Sequence, residues 1–186
     1  MNTPPFNIRQ AQKEDAFTIA LAVAMAIGDE ETLRNYCGDD YLKVLTEIAS
    51  AKETQYSWQN ALIAECDGKA AGAIVGYDGA MLEKLRNGTF EILQKRGLPT
   101  PTIANETEAG EFYLDSIAVM PEYRGHGIGS HLITAIRQKA IAEGHERVGL
   151  IVDIDNPHAK RLYTALGFKS VGSRLFFEHQ MEHLQI

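Results

Sequence analysis

Phe112-Tyr113-Leu114-Asp115-Ser116-Ile117-Ala118-Val119, then Met120-Pro121-Glu122-Tyr123, then Arg124-Gly125-His126-Gly127-Ile128-Gly129-Ser130, reads as a strand, a turn and the start of a helix in one run. The apolar and β-branched residues from Phe112 to Val119 suit a strand, and Pro121 stops it. Beyond the glycines, Ile128, Leu132, Ala135, Ile136 and Ala140 recur at helical spacing, and Gly144 stands where a C-terminal cap belongs. A glycine turn lets the backbone bend and approach a ligand closely. The helix that follows offers unpaired N–H groups and a positive dipole end to an anion. A glycine turn alone also serves as a mere connector, so its flanks decide the reading.

Working outward from this run, the chain alternates strands and helices. Phe6 to Arg9 alternates like a half-buried strand, and Lys13 to Ile27 is helical, with Glu14 and Asp15 near its start where they favour the dipole. A second helical stretch runs from Leu33 to Ala51, with Leu42, Leu45, Ile48 and Ala49 on one face and Gly38 as a candidate break. Ala61 to Cys66 and Ala70 to Tyr77 pair across the hairpin signal Asp67-Gly68. Met81 to Arg96 is a further helix ending near Gly97, and Pro99 to Gly110 is a loop placed to fold over a cleft. After Val148 to Val152, Asn156 caps a helix begun by Pro157 and ended by Gly167, and strands Phe168 to Val171 and Arg174 to Met181 complete the chain. This order predicts a mixed α/β fold of one domain over residues 1–186, a central twisted sheet with helices on its faces.

Composition narrows the function classes. With 45% hydrophobic and 23% charged residues the chain is that of an ordinary globular protein. A net charge of −7 gives no overall electrostatic support for nucleic acid or anionic lipid and mildly favours a cationic small substrate. Cys37 and Cys66 form no CxxC or Cys/His cluster and the six histidines are scattered, so neither a disulfide framework nor a metal site is expected. Met1-Asn2-Thr3-Pro4-Pro5 has no basic region followed by a long apolar run, and Ile19 to Ile27 is too short to span a bilayer. Cytoplasmic residence is the default expectation, with no membrane or nucleic-acid partner.

The glycine run departs from two familiar phosphate binders. It lacks the terminal Lys-Ser/Thr of a Walker A loop, and Gly125-x-Gly127-x-Gly129 is not the GxGxxG of a dinucleotide fold. It matches the Arg/Gln-x-x-Gly-x-Gly/Ala pattern with Arg124, Gly127 and Gly129, and Asn156-Pro157-His158-Ala159-Lys160-Arg161-Leu162-Tyr163-Thr164-Ala165-Leu166-Gly167-Phe168 matches Asn-x-x-Ala-x-x-x-Tyr-x-x-x-Gly-Phe. In this order the two segments resemble the GNAT superfamily of acyl-CoA-dependent N-acetyltransferases, from about Glu111 to Val171.

The resemblance implies a GNAT-like domain with a mixed, mostly antiparallel sheet: residues 1–110 on the acceptor side with an inserted helix and loop near 79–110, residues 111–172 binding acetyl-CoA, and a last strand in 173–186. It implies that the backbone of Ile117, Ala118 and Val119 pairs with the pantetheine arm, and that amides of Arg124, Gly125, His126, Gly127, Ile128, Gly129 and Ser130 hold the pyrophosphate, with Asn156 nearby. His126 itself needs no catalytic role. Acetyl transfer requires a neutral nitrogen, a donor to the developing oxyanion and a proton for the leaving thiolate. The resemblance assigns the Val119 N–H to the oxyanion and Tyr163 to the thiolate; Glu111 matches a base position, and alternation puts Asp115 on the same strand face. Set against these roles, Tyr163 also fits packing between Ala159 and Leu166, Asn156 fits a cap, Glu111 fits a solvated strand end and Asp115 a hydrogen-bonded structural carboxylate.

The expected reaction is acetyl transfer from acetyl-CoA to a primary amine of a small molecule or protein, without a metal. A noncatalytic acyl-CoA sensor of the same fold is the alternative. The first two helices and the loop from Pro99 to Gly110 would shape the acceptor pocket, and the acidic run Glu106 to Glu111 would attract an ammonium unless it is merely solvated. The last strand, with Phe176 and Phe177, suits either the core or a homodimer.

Overall fold

The computed structural model describes residues 5–176 and 179–186. Phe6–Gln10 (β1) lies at one edge and pairs antiparallel with Ala61–Cys66 (β2), which turns through Asp67 and Gly68, both at positive φ, into Lys69–Asp78 (β3). The β3 strand pairs antiparallel with Phe112–Val119 (β4), and β4 pairs parallel with Val148–Asp153 (β5). Lys169–Phe176 (β6) and His179–Gln185 (β7) form an antiparallel pair, with β7 inserted beside β5, so the seven-stranded order is β1-β2-β3-β4-β5-β7-β6. The expected mixed, mostly antiparallel sheet flanked by helices is the fold observed.

Alternation along the strands builds two cores. Ile63 and Val75 face the helices Ala16–Ile27 (α1) and Tyr41–Ser50 (α3), where Ile19, Val23, Leu45 and Ile48 are fully buried. Ile74, Phe112, Leu114 and Leu150 face the opposite way, against Leu132 and Ile136 of Ile128–Ala142 (α5) and the helix Pro157–Ala165 (α6). Each such side chain contributes about 1.5–3 kcal/mol by leaving water. Leu82–Lys95 (α4) lays Leu82 and Leu85 on Tyr77 and Tyr113, closing the end of the sheet where a cleft opens.

Three boundaries differ from the sequence expectation. The helical stretch from 33 to 51 is two helices, Glu30–Cys37 (α2) and α3, because Gly38 adopts φ +75 and a Cβ there would strike Leu98. Asp29 starts α2 three residues earlier than the apolar pattern shows, its carboxylate accepting from Thr32 N–H at 2.7 Å. The expected break between Val171 and Arg174 is instead a β-bulge near Gly172 inside β6, and the expected last strand, Arg174 to Met181, is divided between the end of β6 and the start of β7, which pair antiparallel; its Phe177 lies outside the described residues. Among the described residues no helix is long and apolar enough to cross a membrane, and no cluster of three metal-ligating side chains occurs.

Candidate active site

The parallel strands β4 and β5 pair only at Phe112 with Val148 and Tyr113 with Gly149, while β4 stays paired with β3 as far as Val119. From Leu114 onward the two strands therefore diverge. Met120 N–H donates to Ala71 O on β3 at 2.8 Å, so by alternation the N–H groups of Ile117 and Val119 face the diverging side. Arg124 closes the far end, its Nε–H donating to Val119 O at 3.1 Å.

The glycine turn lies at the mouth of this divergence. Gly125 and Gly127 adopt φ +79 and +77, left-handed values that glycine takes without steric cost, and Gly127 precedes the first turn of α5. Among the described residues no hydrogen bond takes the N–H groups of Gly125 to Ser130, whereas His131 N–H already donates to Gly127 O. Six consecutive free donors at the start of a fifteen-residue helix with no acid in its first turn fit a diphosphate. His126 is half-buried and its Nδ1 lies 3.2 Å from Tyr123 O, so the ring braces the turn.

On the other face of β4 a cleft of about 200 Å³ is lined by residues of α1, α2, α4, the 103–106 loop, β4, β5 and β7. Asp115 points there with Tyr113, two residues before it on the same face, and stands at a bulge: Val75 pairs with Ser116 and Gly76 with Leu114, leaving Asp115 unopposed. Tyr77 O–H donates to its Oδ2 at 2.6 Å and Ser116 O–H to its Oδ1 at 2.8 Å. Burial pushes the Asp115 carboxyl above the usual carboxylate range despite these two donors. A chain of bonds continues from Tyr77 Oη to Gln55 Nε2 and on to Glu106. Glu106 is 3% exposed, ion-paired with Arg86, and pushed up to about 7 by burial and the nearby Asp115 charge. Arg86 also donates to Ile103 O, Ala104 O and Asn105 Oδ1, which ties the 103–106 loop to α4 across the cleft.

The other residues singled out in the sequence fall elsewhere. Glu111 follows the alternation expected with Asp115 but sits beyond the cleft lining, 2% exposed, with Thr107 Oγ1, His183 Nε2 and Gln185 Nε2 donating at 2.6, 2.9 and 2.7 Å. Its carboxylate covers Gly149, where any Cβ would overlap it. Asn156 accepts from Ala159 N–H at 3.1 Å, a helix cap as its position before Pro157 suggested. Tyr163 packs in the α5-side core that also takes in Ile117 and Val119, its ring edge-on to Phe168, and burial pushes its phenol up to about 12. Tyr77, Gln55, Arg86 and Glu106 escaped the sequence reading. The acidic run from Glu106 was visible, but nothing in the sequence paired its first residue with an arginine twenty positions earlier on α4.

Residues 30–168 match the model of the acetyltransferase (GNAT) family. An N-acetyltransferase from Staphylococcus aureus Mu50 superposes with TM-score 0.84 at 30% identity, covering 97% of this chain and 100% of that one. A crystal structure described simply as an acetyltransferase gives 0.81 at 34% identity, covering 96% and 97%. Among curated proteins, mycothiol acetyltransferase of Gordonia bronchialis is 29% identical over 77% of this chain and 45% of its own length. Thialysine N-epsilon-acetyltransferase of Bos taurus is 46% identical over 30% of this chain and 32% of its own. The chain thus spans less than half the length of these curated relatives. The chain belongs to the GNAT acetyltransferase family.

Proposed function

We propose that the protein transfers an acetyl group from acetyl-CoA to the primary amine of a small molecule or protein, both substrates being bound together. The observation that carries this reading is that two features meet at the same pair of strands: free amides beside the diverging β4 and β5, and a carboxylate-lined cleft bordered by residues of both. In this reading residues 111–172 hold the donor, with the amides of Gly125 to Ser130 on its pyrophosphate and Ile117 and Val119 along its pantetheine arm. Residues 1–110 shape the acceptor side, joined by Phe176, His179 and Met181 from the last two strands.

Acetyl-CoA supplies a thioester carbon open to attack; the chain supplies the proton transfers and the alignment. An alkylammonium must lose a proton before its nitrogen can attack. Asp115 takes that proton directly or through a water, and its raised pKa makes it a better acceptor than an ordinary surface carboxylate. The Val119 N–H, turned toward the diverging side, donates to the carbonyl oxygen as it gains charge. Tyr163 keeps its proton at neutral pH and donates it to the departing sulfur. Glu111, enclosed by three donors, shapes the sheet under the cleft and is the weaker candidate for the base.

Release of free thiol from acetyl-CoA, measured against a panel of amino acids, polyamines, aminoglycosides and peptide N-termini, tests the reading. Acceptor-dependent thiol release is expected. Tight acetyl-CoA binding with no turnover on any amine would instead support the acyl-CoA sensor.

A further inference from the structure

The cleft beside Asp115 carries its carboxylates at two depths. Glu106 and Asp115 lie at the bottom, joined through Gln55 and Tyr77. Asp29, exposed, and Asp153, half-buried, stand at the mouth. His179 stands beside Asp153, its Nδ1 3.0 Å from Asp153 Oδ2. Rings of Tyr36, Tyr56, Tyr113 and Phe176 line the wall. Aromatic faces tolerate methylenes and attract a nearby cation.

What the cleft lacks is a fork for an anion. Arg86 is the permanently charged base of the lining, 9% exposed at its side chain, and both of its Nη atoms are taken by Glu106, Asn105 and two loop carbonyls. Its Nε–H has no partner among the described residues, but one N–H cannot grip a carboxylate with two parallel bonds. A free amino acid would therefore set its carboxylate among four acids without a bidentate partner. The volume, about 200 Å³, is also below the roughly 300–1,000 Å³ that encloses a drug-sized ligand. A wider groove alongside, lined by Thr32, Pro101 and Leu175 among others, carries no carboxylate among the described residues, so the second positive charge is placed at the mouth rather than there.

We propose that the acceptor is a short linear α,ω-diamine: one nitrogen lies at Asp115 and becomes acetylated, while the other stays protonated between Asp29 and Asp153. This names the acceptor for the N-acetyltransferase reading and rests on it. The nitrogen at Asp115 gives one proton to the carboxylate and forms the amide C–N bond as the thioester C–S bond breaks; Tyr163 protonates the released thiolate, and the second proton leaving the nitrogen replaces the one that Tyr163 gave. The distal ammonium is unchanged throughout.

The test compares α,ω-diamines of about three to six carbons with matched n-alkylamines and ω-amino acids, by kcat/KM for thiol release from acetyl-CoA. The best diamine is expected to exceed its matched monoamine by about tenfold, as two partly exposed ion pairs supply, with the ω-amino acid below both. The double variant Asp29→Asn, Asp153→Asn should bring the diamine to monoamine ratio close to unity. Asparagine still caps α2, and a thermal melt checks the fold; should the double variant melt early, Asp153→Asn alone is used, and it should lower the ratio several-fold. Equal rates for diamine and monoamine, or a ratio that survives substitution, overturn the two-ended site and leave amine acetylation standing. No thiol release with any amine overturns both together.

Discussion

Tyr77 donates a 2.6 Å hydrogen bond to Asp115, and the two meet because Tyr77 pairs with Tyr113 on β4, which shares a face with Asp115 two residues on. This bond lowers the Asp115 pKa against the larger upward push of burial. Tyr77→Phe therefore raises that pKa further. Since the base works only when ionised, the acid limb of the kcat/KM profile should move up by about one pH unit, the scale of a lost hydrogen bond to a charged group. Asp115→Asn should lower kcat/KM by about 10²–10⁴-fold. An unmoved limb in the first variant together with full turnover in the second would remove Asp115 from the chemistry.

Glu111 offers the contrasting case. Burial alone would raise its pKa, but hydrogen bonds from His183, Thr107 and Gln185 outweigh it and hold the carboxyl below the usual range. A depressed folded-state pKa contributes stability above the unfolded value, near 4.5, and loses it as pH falls through the folded one. Glu111→Gln should thus cost about 1–3 kcal/mol of unfolding free energy at neutral pH, a deficit that shrinks in strong acid. Turnover below the melting temperature should stay within about threefold, a change of well under 1 kcal/mol in barrier. A loss of orders of magnitude at unchanged stability would make Glu111 the base in place of Asp115.

The Arg86–Glu106 pair locks the 103–106 loop to α4, and its removal should be felt in stability before chemistry. Arg86→Gln leaves a buried carboxylate without its cation, which costs about 3–5 kcal/mol. Glu106 already titrates near 7, and losing Arg86 takes away a charge that lowers it. A raised folded-state pKa means that the folded protein gains stability relative to the unfolded chain as pH falls through that value. Melting at about pH 8.5 and about pH 5.5 should therefore show a large deficit at the first and a smaller one at the second. A deficit independent of pH would show that the loop carbonyl bonds, not the charge, matter.

The mixed sheet flanked by helices and the elements from Phe112 to Gly167 were legible because each rests on local signals. Glycines at positive φ, Pro157 after a capping Asn156 and the alternation from Phe112 to Val119 leave marks in neighbouring residues. The hairpin at Asp67-Gly68 is of the same kind. The side-chain contacts around the cleft were not legible, because they join distant positions: Arg86 with Glu106, Gln55 with Tyr77, His183 with Glu111. The bulge at Asp115 is set by pairing with β3, where Gly76 stands at the register shift, and β4 itself carries no mark of it. Gly38 was seen as a candidate break, but only the packing of Leu98 against it shows why a side chain is excluded there.

Tyr163 separates packing from catalysis most directly. Its ring packs edge-on to Phe168, contacts that phenylalanine retains, so Tyr163→Phe should melt within about 1 kcal/mol of the parent. If the phenol supplies the proton to sulfur, kcat falls by about 10²-fold while the KM for acetyl-CoA holds, because the lost interaction belongs to the transition state. Thiol release with full kcat in the phenylalanine variant would reduce Tyr163 to a core residue.

Gly127 tests the donor cradle by a different readout. At φ +77 an alanine is strained by about 1–2 kcal/mol, although the nearest atoms to its Cβ, in the His131 ring, are 3.8 Å away. The strain is therefore one of backbone conformation rather than of packing. Gly127→Ala relieves it by turning the peptide planes on either side, which swings the adjacent free N–H groups out of line with those of Ile128 to Ser130. The KM for acetyl-CoA should rise by about tenfold or more with kcat changed by less than about threefold, since the pyrophosphate is gripped alike in ground and transition states. Dephospho-CoA and CoA, which share the pyrophosphate, should weaken as competitive inhibitors by the same factor, whereas pantetheine, which lacks it, should be unaffected. A variant that loses affinity for pantetheine as well would place the damage in the strand pairing of β4 rather than in the amide row.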